Sequence, residues 1–243
     1  AFSTRTEGVR GQTALDWNLV DYIAPGSSFD ALVSARVAAR LTDSDRPDNT
    51  PGVELTPLVR TIDADSIAYG SVSSGSVQVT IDRDLGTAII NIAAPAEPQP
   101  TTGAALVSAG DQSWLLRTAR ELDDAILHLR LNELESGVVI FRSQGDPQRV
   151  AAHEKLIFDH RETDWLSNEI CLYWKRVLKR VDMTSRSLVA LVENGSCFTG
   201  ILAELLFAVD RSYMMDGPFD EDNRPTAAIM LTQANFAPLL MAN

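Results

Sequence analysis

The sequence contains few cysteines, relatively few basic residues and no long apolar run. Cys171 and Cys197 are the only cysteines among 243 residues, which excludes a disulfide scaffold, and their spacing is not that of a zinc site. No apolar run reaches the length of a membrane span, and no basic-then-apolar leader opens the chain. We therefore expect two free thiols and a cytoplasmic protein that has no membrane partner.

Acidic residues outnumber basic ones, 33 to 21, which gives a formal net charge of −12. Nucleic-acid binding needs clustered Lys and Arg, so this balance argues against that class of partner. Hydrophobic residues make up 45% of the chain, enough to bury the core of one or two globular domains. His128, His153 and His160 lack the i, i+4 spacing of paired ligands, so we expect no metal site.

Predicted strands and helices alternate along most of the chain. Apolar or β-branched runs predict strands over 67–69, 77–81, 87–93, 138–141 and 188–192. Apolar stripes at helical spacing predict long helices over 112–131 and 165–181, and a further helix that follows Ser28, a candidate cap. Helices between strands are typical of a sheet built from βαβ units, so we predict an α/β fold.

The most informative segment runs from Ser187 to Met215, where an apolar run, a glycine turn and an amphipathic run follow one another. This order predicts a strand that leads directly into a helix. The unpaired N–H groups and the positive dipole end of such a helix point at whatever lies above the turn. The turn is therefore a candidate site for an anion or a developing oxyanion. The alternative is a purely structural junction, which is what most such turns are.

This segment resembles the second half of the crotonase (enoyl-CoA hydratase) signature. The matching residues are Glu193-Asn-Gly-Ser-Cys-Phe-Thr-Gly200, Leu202-Ala-Glu-Leu205 and Asp210-Arg-Ser-Tyr213, and they look most like the benzoyl-CoA-dihydrodiol lyases, a family of large two-part crotonase relatives. Residues 7–21 are similar to the tail of a crotonase domain. The resemblance implies a crotonase-like ββα-type spiral unit, preceded by the helical tail of a first such unit.

The resemblance also implies a division of the chain. Residues 1–41 would end a first crotonase unit, and residues 67–243 would form the N-terminal part of a second, degenerate one. Residues 42–66 are predicted to be a linker, because turn formers and charge are concentrated at their start. We expect the chain to be a piece of a longer protein, with the intact catalytic signature upstream.

In crotonases, two backbone N–H groups hold the thioester oxygen of the substrate. The resemblance places one candidate donor at Ala151, in the predicted loop 148–153, and the other at Gly200 or Ile201. It also aligns Glu204 with one general acid/base position of the hydratases. A carboxyl group buried at the start of a helix is suited to moving protons if its pKa is raised.

The sequence departs from the family pattern at two places. Ile201 stands where the family has a further glycine, which predicts a donor site that is filled or degraded. Residues 231–236 contain no acid at the position of the family's second glutamate. Glu204 is then interpreted more simply as a packing and helix-dipole residue.

The resemblance implies a lyase that cleaves a C–C bond of an acyl-CoA, with its main catalytic acids outside this chain and CoA present only as part of the substrate. The expected partners are the acyl-CoA, the remainder of a longer chain and a second copy in a homodimer or other homo-oligomer. Two alternatives remain: a scaffold unit that binds no substrate, and an acyl-CoA hydratase or hydrolase that uses Glu204. Ser196 and Cys197 do not fit a nucleophile elbow, so Cys197 is predicted to be a small core or turn residue.

Overall fold

A computed structural model describes residues 5–44, 52–70, 75–217, 222–236 and 239. The chain divides into two compact units, Ala1–Thr50 and Pro51–Asn243. The helices are α1 (Gly11–Asp16), α2 (Phe29–Thr42), α3 (Gly103–Ala109), α4 (Trp114–Asn132), α5 (Pro147–His160), α6 (Trp165–Asp182) and α7 (Glu204–Ala208). Short 3₁₀ turns cover Gly26–Ser28, Gly110–Gln112, Gly200–Leu202 and Gln233–Phe236. No helix of the described residues combines the length and the apolar character needed to cross a membrane.

The second unit contains a sheet of seven strands whose spatial order follows the sequence. The strands are β1 (Arg60–Ile62), β2 (Ser66–Tyr69), β3 (Val77–Asp82), β4 (Thr87–Ala93), β5 (Val138–Gln144), β6 (Ser187–Val192) and β7 (Arg211–Met214). β1 to β4 pair antiparallel, and β4 to β7 pair parallel. The α/β prediction is confirmed, as is the prediction that β5 and β6 are parallel neighbours.

The core of the second unit is built mainly by the sheet and by helices α4 and α6. The predicted stripe of α4 is buried throughout: it consists of Leu115, Ala119, Leu122, Ile126 and Leu129. Trp174 of α6 is fully buried and donates its indole N–H to the carbonyl oxygen of Leu115, 2.9 Å away. Periodic apolar residues therefore decide which helix faces pack together.

Helix α5 replaces the loop that was predicted over residues 148–153. Asp146 accepts a hydrogen bond from the backbone N–H of Gln148 at 2.8 Å, and Pro147 occupies the first helical position, where its missing N–H costs nothing. This capping signal outweighs the turn formers of residues 143–147. The correction matters because α5 carries two of the side chains described below.

The helix predicted to continue towards Met215 ends at Ala208, and Arg211–Met214 forms β7. Asp210 fixes this change, because its carboxylate accepts the N–H of Leu188 at 2.8 Å and its own N–H donates to the carbonyl of Leu188 at 2.9 Å. Asp210 does not extend the helix. It instead starts the pairing of β7 with β6.

The predicted linker 42–66 is in part structured, although residues 45–51 lie outside the described residues. β1 falls within it, and the N–H and hydroxyl of Thr56 both donate to Asp111, at 2.7 Å each. The segment after residue 51 thus belongs to the second unit. The assignment of 1–41 and 67–243 to two crotonase units stays a prediction.

The helix predicted after Ser28 is present as α2, but Ser28 does not cap it with its side chain. Its hydroxyl donates to the carbonyl of Pro25 instead, at 3.3 Å, in the 3₁₀ turn that precedes the helix.

Candidate functional site

The turn between β6 and α7 is the site that the sequence singled out. Gly195 has a φ of +78° in this turn, and its N–H donates to the carbonyl of Pro225 at 2.7 Å. Further along, Thr199 forms a parallel bridge with Met230. Segment 222–232 therefore lies against the turn and forms hydrogen bonds with backbone groups that a ligand would otherwise contact.

Four consecutive N–H groups at the end of this turn are already bonded. Gly200 donates to the carbonyl of Met230 at 2.9 Å, and Ile201 donates to the carboxylate Oε2 of Glu154 at 2.7 Å. Leu202 and Ala203 donate to backbone carbonyls of the same turn, at 2.9 Å each. All four residues are buried. Within the described chain, neither predicted donor of this turn has an N–H left for a substrate oxygen.

The third predicted donor, Ala151, is the fifth residue of α5. From the fifth position onwards, a helical N–H bonds to the carbonyl four residues earlier, here that of Pro147. The structure packs α5 against the 3₁₀ turn Gly200–Leu202, but the N–H of Ala151 belongs to the helix. The three candidate donors do not form a pair of open N–H groups.

Glu154 is the residue that the structure adds to the site. Its side chain is buried, and Oε1 has no hydrogen-bond partner among the described residues. Burial raises the pKa of Glu154; the Thr232 side chain and the Ile201 N–H act in the opposite direction, and the nearby Glu204 adds to the increase. A buried carboxyl group thus lies where the sequence analysis expected a ligand.

Glu204 is buried at the first residue of α7. The side-chain amide of Asn235 donates to its Oε1 at 2.6 Å and to the carbonyl of Gly200 at 2.9 Å. The amide oxygen of Asn235 accepts the N–H of Thr232 at 2.9 Å. Asn235 lies in segment 231–236, where the family has its second glutamate, and here it connects Glu204 to the turn.

Cys197 lies in the same turn and is fully buried. Its N–H donates to the Ser143 hydroxyl at 3.0 Å, and burial raises the pKa of its thiol to about 11. Such a thiol carries almost no thiolate at neutral pH, which fits a core residue rather than a nucleophile. Both cysteines are unbridged. No group of three or more His, Cys, Asp or Glu among the described residues is arranged to hold a metal ion.

His153, the neighbour of Glu154, is buried with its Nε2 3.1 Å from the carbonyl oxygen of Glu97, and its ring forms a T-shaped contact with that of Trp114. Burial lowers the pKa of His153. These contacts are with the helix and loop around it, which gives His153 a packing role.

Sequence reasoning missed Glu154 because it treated residues 148–153 as a loop, so no buried helix face was expected there. A signal was present: Val150, Glu154 and Ile157 follow each other at steps of four and three, so they share one face of a helix. Val150 and Ile157 are buried on that face. A glutamate between two core positions of a helix indicates a buried carboxyl group.

Comparison with known proteins supports the sequence resemblance. No protein-family model matches the chain. The chain is 40% identical over 242 residues to benzoyl-CoA-dihydrodiol lyase from Aromatoleum evansii, a match that covers 100% of this chain and 42% of that relative. Similar solved structures include enoyl-CoA hydratases. The one from Geobacillus kaustophilus is 17% identical with a TM-score of 0.40, over 65% of this chain and 48% of its own. The one from Bacillus halodurans is 14% identical with a TM-score of 0.38, over 57% and 49%.

The predicted resemblance is thereby confirmed along the sequence. The chain spans less than half the length of the curated relative that it matches. This chain is therefore related over its full length to one part of a benzoyl-CoA-dihydrodiol lyase.

Proposed function

We propose that this chain is a structural part of a ring-cleaving acyl-CoA lyase, and that it does not itself hold the reacting thioester. The similarity to a benzoyl-CoA-dihydrodiol lyase supports the reaction class. The observation that carries the structural role is the hydrogen bond from the Ile201 N–H to Glu154, 2.7 Å long. An oxyanion site needs a donor that is open towards the substrate, and this donor is occupied.

The substrate of the whole enzyme would be 2,3-dihydro-2,3-dihydroxybenzoyl-CoA, whose ring is opened, with consumption of one water molecule, to an adipyl-CoA semialdehyde derivative and formate. That reaction needs an activated hydroxyl group and a thioester oxyanion that accepts electrons during C–C cleavage. Glu204 is poorly placed for either task, because Asn235 binds it inside the core. The catalytic acids would lie in the part of such an enzyme that this chain does not span.

The test is the substitution Glu204→Gln in the whole enzyme, assayed with benzoyl-CoA dihydrodiol. We expect turnover within about threefold of the unsubstituted enzyme, because the amide keeps the size of the side chain and the general acid/base work is done elsewhere. Glu162→Gln, which changes an exposed glutamate, is the matched control. A loss of about a thousandfold confined to Glu204→Gln would place the chemistry in this chain and support the hydratase or hydrolase alternative.

We further propose that the enzyme is a cytoplasmic homo-oligomer, most simply a homodimer. Two buried, unbridged thiols support a reducing compartment. Exposed apolar side chains on α2 support an additional interface.

A further inference from the structure

The carboxylate of Glu154 reaches from α5 to the turn before α7 and touches its backbone. Its Oε2 accepts the Ile201 N–H at 2.7 Å. Gly200 lies beside it with a φ of +48°, and a Cβ added there would fall 2.1 Å from each carboxylate oxygen. The two oxygens therefore lie in space that only glycine leaves open. This is the close approach to a bare backbone that anion sites use.

The Ile201 N–H differs from its three neighbours in the kind of acceptor it has. The N–H groups of Gly200, Leu202 and Ala203 bond to backbone carbonyls that are part of the fold. Only Ile201 gives its N–H to a side chain, which a substitution can remove without breaking the main chain. Of these four donors, it is thus the one that an external oxygen is able to take over.

The contact between Glu154 and the turn involves one more oxygen than the hydrogen bond to the Ile201 N–H requires. Glu154 Oε1 is buried and makes no hydrogen bond of normal geometry among the described residues, although the Thr232 side chain acts on the same carboxyl group and burying such a polar atom is costly. An N–H bonded to a backbone carbonyl would not carry this cost. The turn therefore accommodates a whole carboxylate group, with both oxygens next to Gly200.

We propose that Ile201 and Gly200 form a binding site for a carboxyl group whose built-in ligand is Glu154, and that this ligand keeps the site closed to external carboxyl groups and acyl oxygens. The inference rests on the proposed function, because it names what closes the donor site of this part of the enzyme. The external ligands that it would take are small carboxylates such as formate and acetate, which offer the same two oxygens as the Glu154 side chain.

The test is rescue of Glu154→Ala by sodium formate, followed by thermal unfolding of the full chain. We expect the substitution to lower Tm by about 3–10 °C, because it leaves a cavity and an unsatisfied buried N–H. Formate should raise the Tm of this variant saturably, by about 3–5 °C at ten times its dissociation constant. The unsubstituted protein and Glu154→Gln, in which the site stays filled, should not respond.

Leu202→Ala is the matched control, since Leu202 is fully buried in the same turn and its loss opens an apolar cavity without a new donor. Sodium chloride at equal ionic strength controls for salt. A formate response of Glu154→Ala no larger than that of Leu202→Ala would overturn the proposal.

A second measurement tests the proposal even if Glu154→Ala does not fold. In the isotope-labelled, unsubstituted protein, the Ile201 amide proton should be shifted downfield by its 2.7 Å hydrogen bond to the Glu154 carboxyl group, and its shift should change in Glu154→Gln, where an amide oxygen takes the place of the carboxyl oxygen. An Ile201 amide that exchanges with water at an unprotected rate would overturn the proposal. Both readouts are independent of turnover, so their failure is distinguishable from a failure of the Glu204→Gln test.

Discussion

Glycine at position 200 is required by the carboxylate that lies against it. Its φ of +48° belongs to the left-handed region, which costs other residues about 1–2 kcal/mol. The close contact with Glu154 adds a second requirement, because any Cβ would overlap both carboxylate oxygens. The Glu154 side chain is flexible enough to move away, but it would then release the Ile201 N–H. Backbone conformation and hydrogen bonding thus restrict the same position.

We predict that Gly200→Ala lowers the free energy of unfolding by about 2–5 kcal/mol. The lower part of this range is the cost of the positive φ, and the rest is the loss of a buried hydrogen bond. Urea unfolding of the purified chain measures the change. In a Glu154→Ala background, the same substitution should cost only about 1–2 kcal/mol, since the bond is already gone.

Gly217→Ala is the control for the cost of the positive φ alone, because Gly217 has a φ of +82° and an added Cβ meets nothing within 4 Å. Equal losses of stability for Gly200→Ala and Gly217→Ala would contradict the close contact with Glu154.

At the scale of elements, α5 determines what lies in the candidate site. Its start is fixed by Asp146 and Pro147, and its buried face presents Val150, Glu154 and Ile157 to the rest of the unit. The end of α5 is exposed, with an ion pair between Lys155 and Asp159. The N-terminal cap therefore matters more than the surface charges to the placement of Glu154.

We predict that Asp146→Ala lowers the free energy of unfolding by about 1 kcal/mol, because the N–H of Gln148 loses its acceptor. Asp159→Ala, which removes one partner of an exposed pair on the same helix, should cost less than about 0.5 kcal/mol. Urea unfolding of the two variants in parallel provides the comparison. A larger effect at Asp159 than at Asp146 would show that the cap does not hold this helix.

At the scale of the whole molecule, the two units differ in how much they bury. The second unit has a continuous core of strands and helices. Among the described residues of the first unit, only Ala14 is buried, and α2 buries none of its side chains. An open groove of about 730 Å³ lies along α2, and its lining includes Tyr22, Phe29, Val33 and Val37 together with Arg36 and Arg40. A surface of this kind indicates an interface.

We predict that the chain associates through α2 and that sedimentation equilibrium gives about twice the mass of the 26.5 kDa chain. Val37→Asp places a charge on the apolar face and should shift the chain towards the monomer. Ser34→Asp, an exposed position on the same helix, is the matched control and should leave the mass unchanged. A monomeric mass for the unsubstituted chain at micromolar concentration would contradict association of this chain through α2.

The local pattern of residues was sufficient for the main elements of the second unit. The stripe of α4, the alternation in β3 and the apolar runs of β5 and β6 each predict an element and its buried face, because periodicity reports directly which side chains avoid water. The glycine turn after β6 was also evident, since Gly195 and Gly200 mark positive φ values that other residues avoid. The departure of Ile201 from the family pattern predicted a donor site that is filled or degraded.

What fills that site was decided only by the tertiary structure. Glu154 and Ile201 are 47 positions apart, and Glu204 and Asn235 are 31 apart. β7 forms because Asp210 binds the edge of β6, although the residues around it read as a helix. Spacing along the chain indicates burial and local conformation, but not which distant group satisfies a buried N–H or carboxyl. That choice depends on how α5 and segment 222–236 pack against the turn, because a buried polar group is stable only with a partner that the fold brings to it.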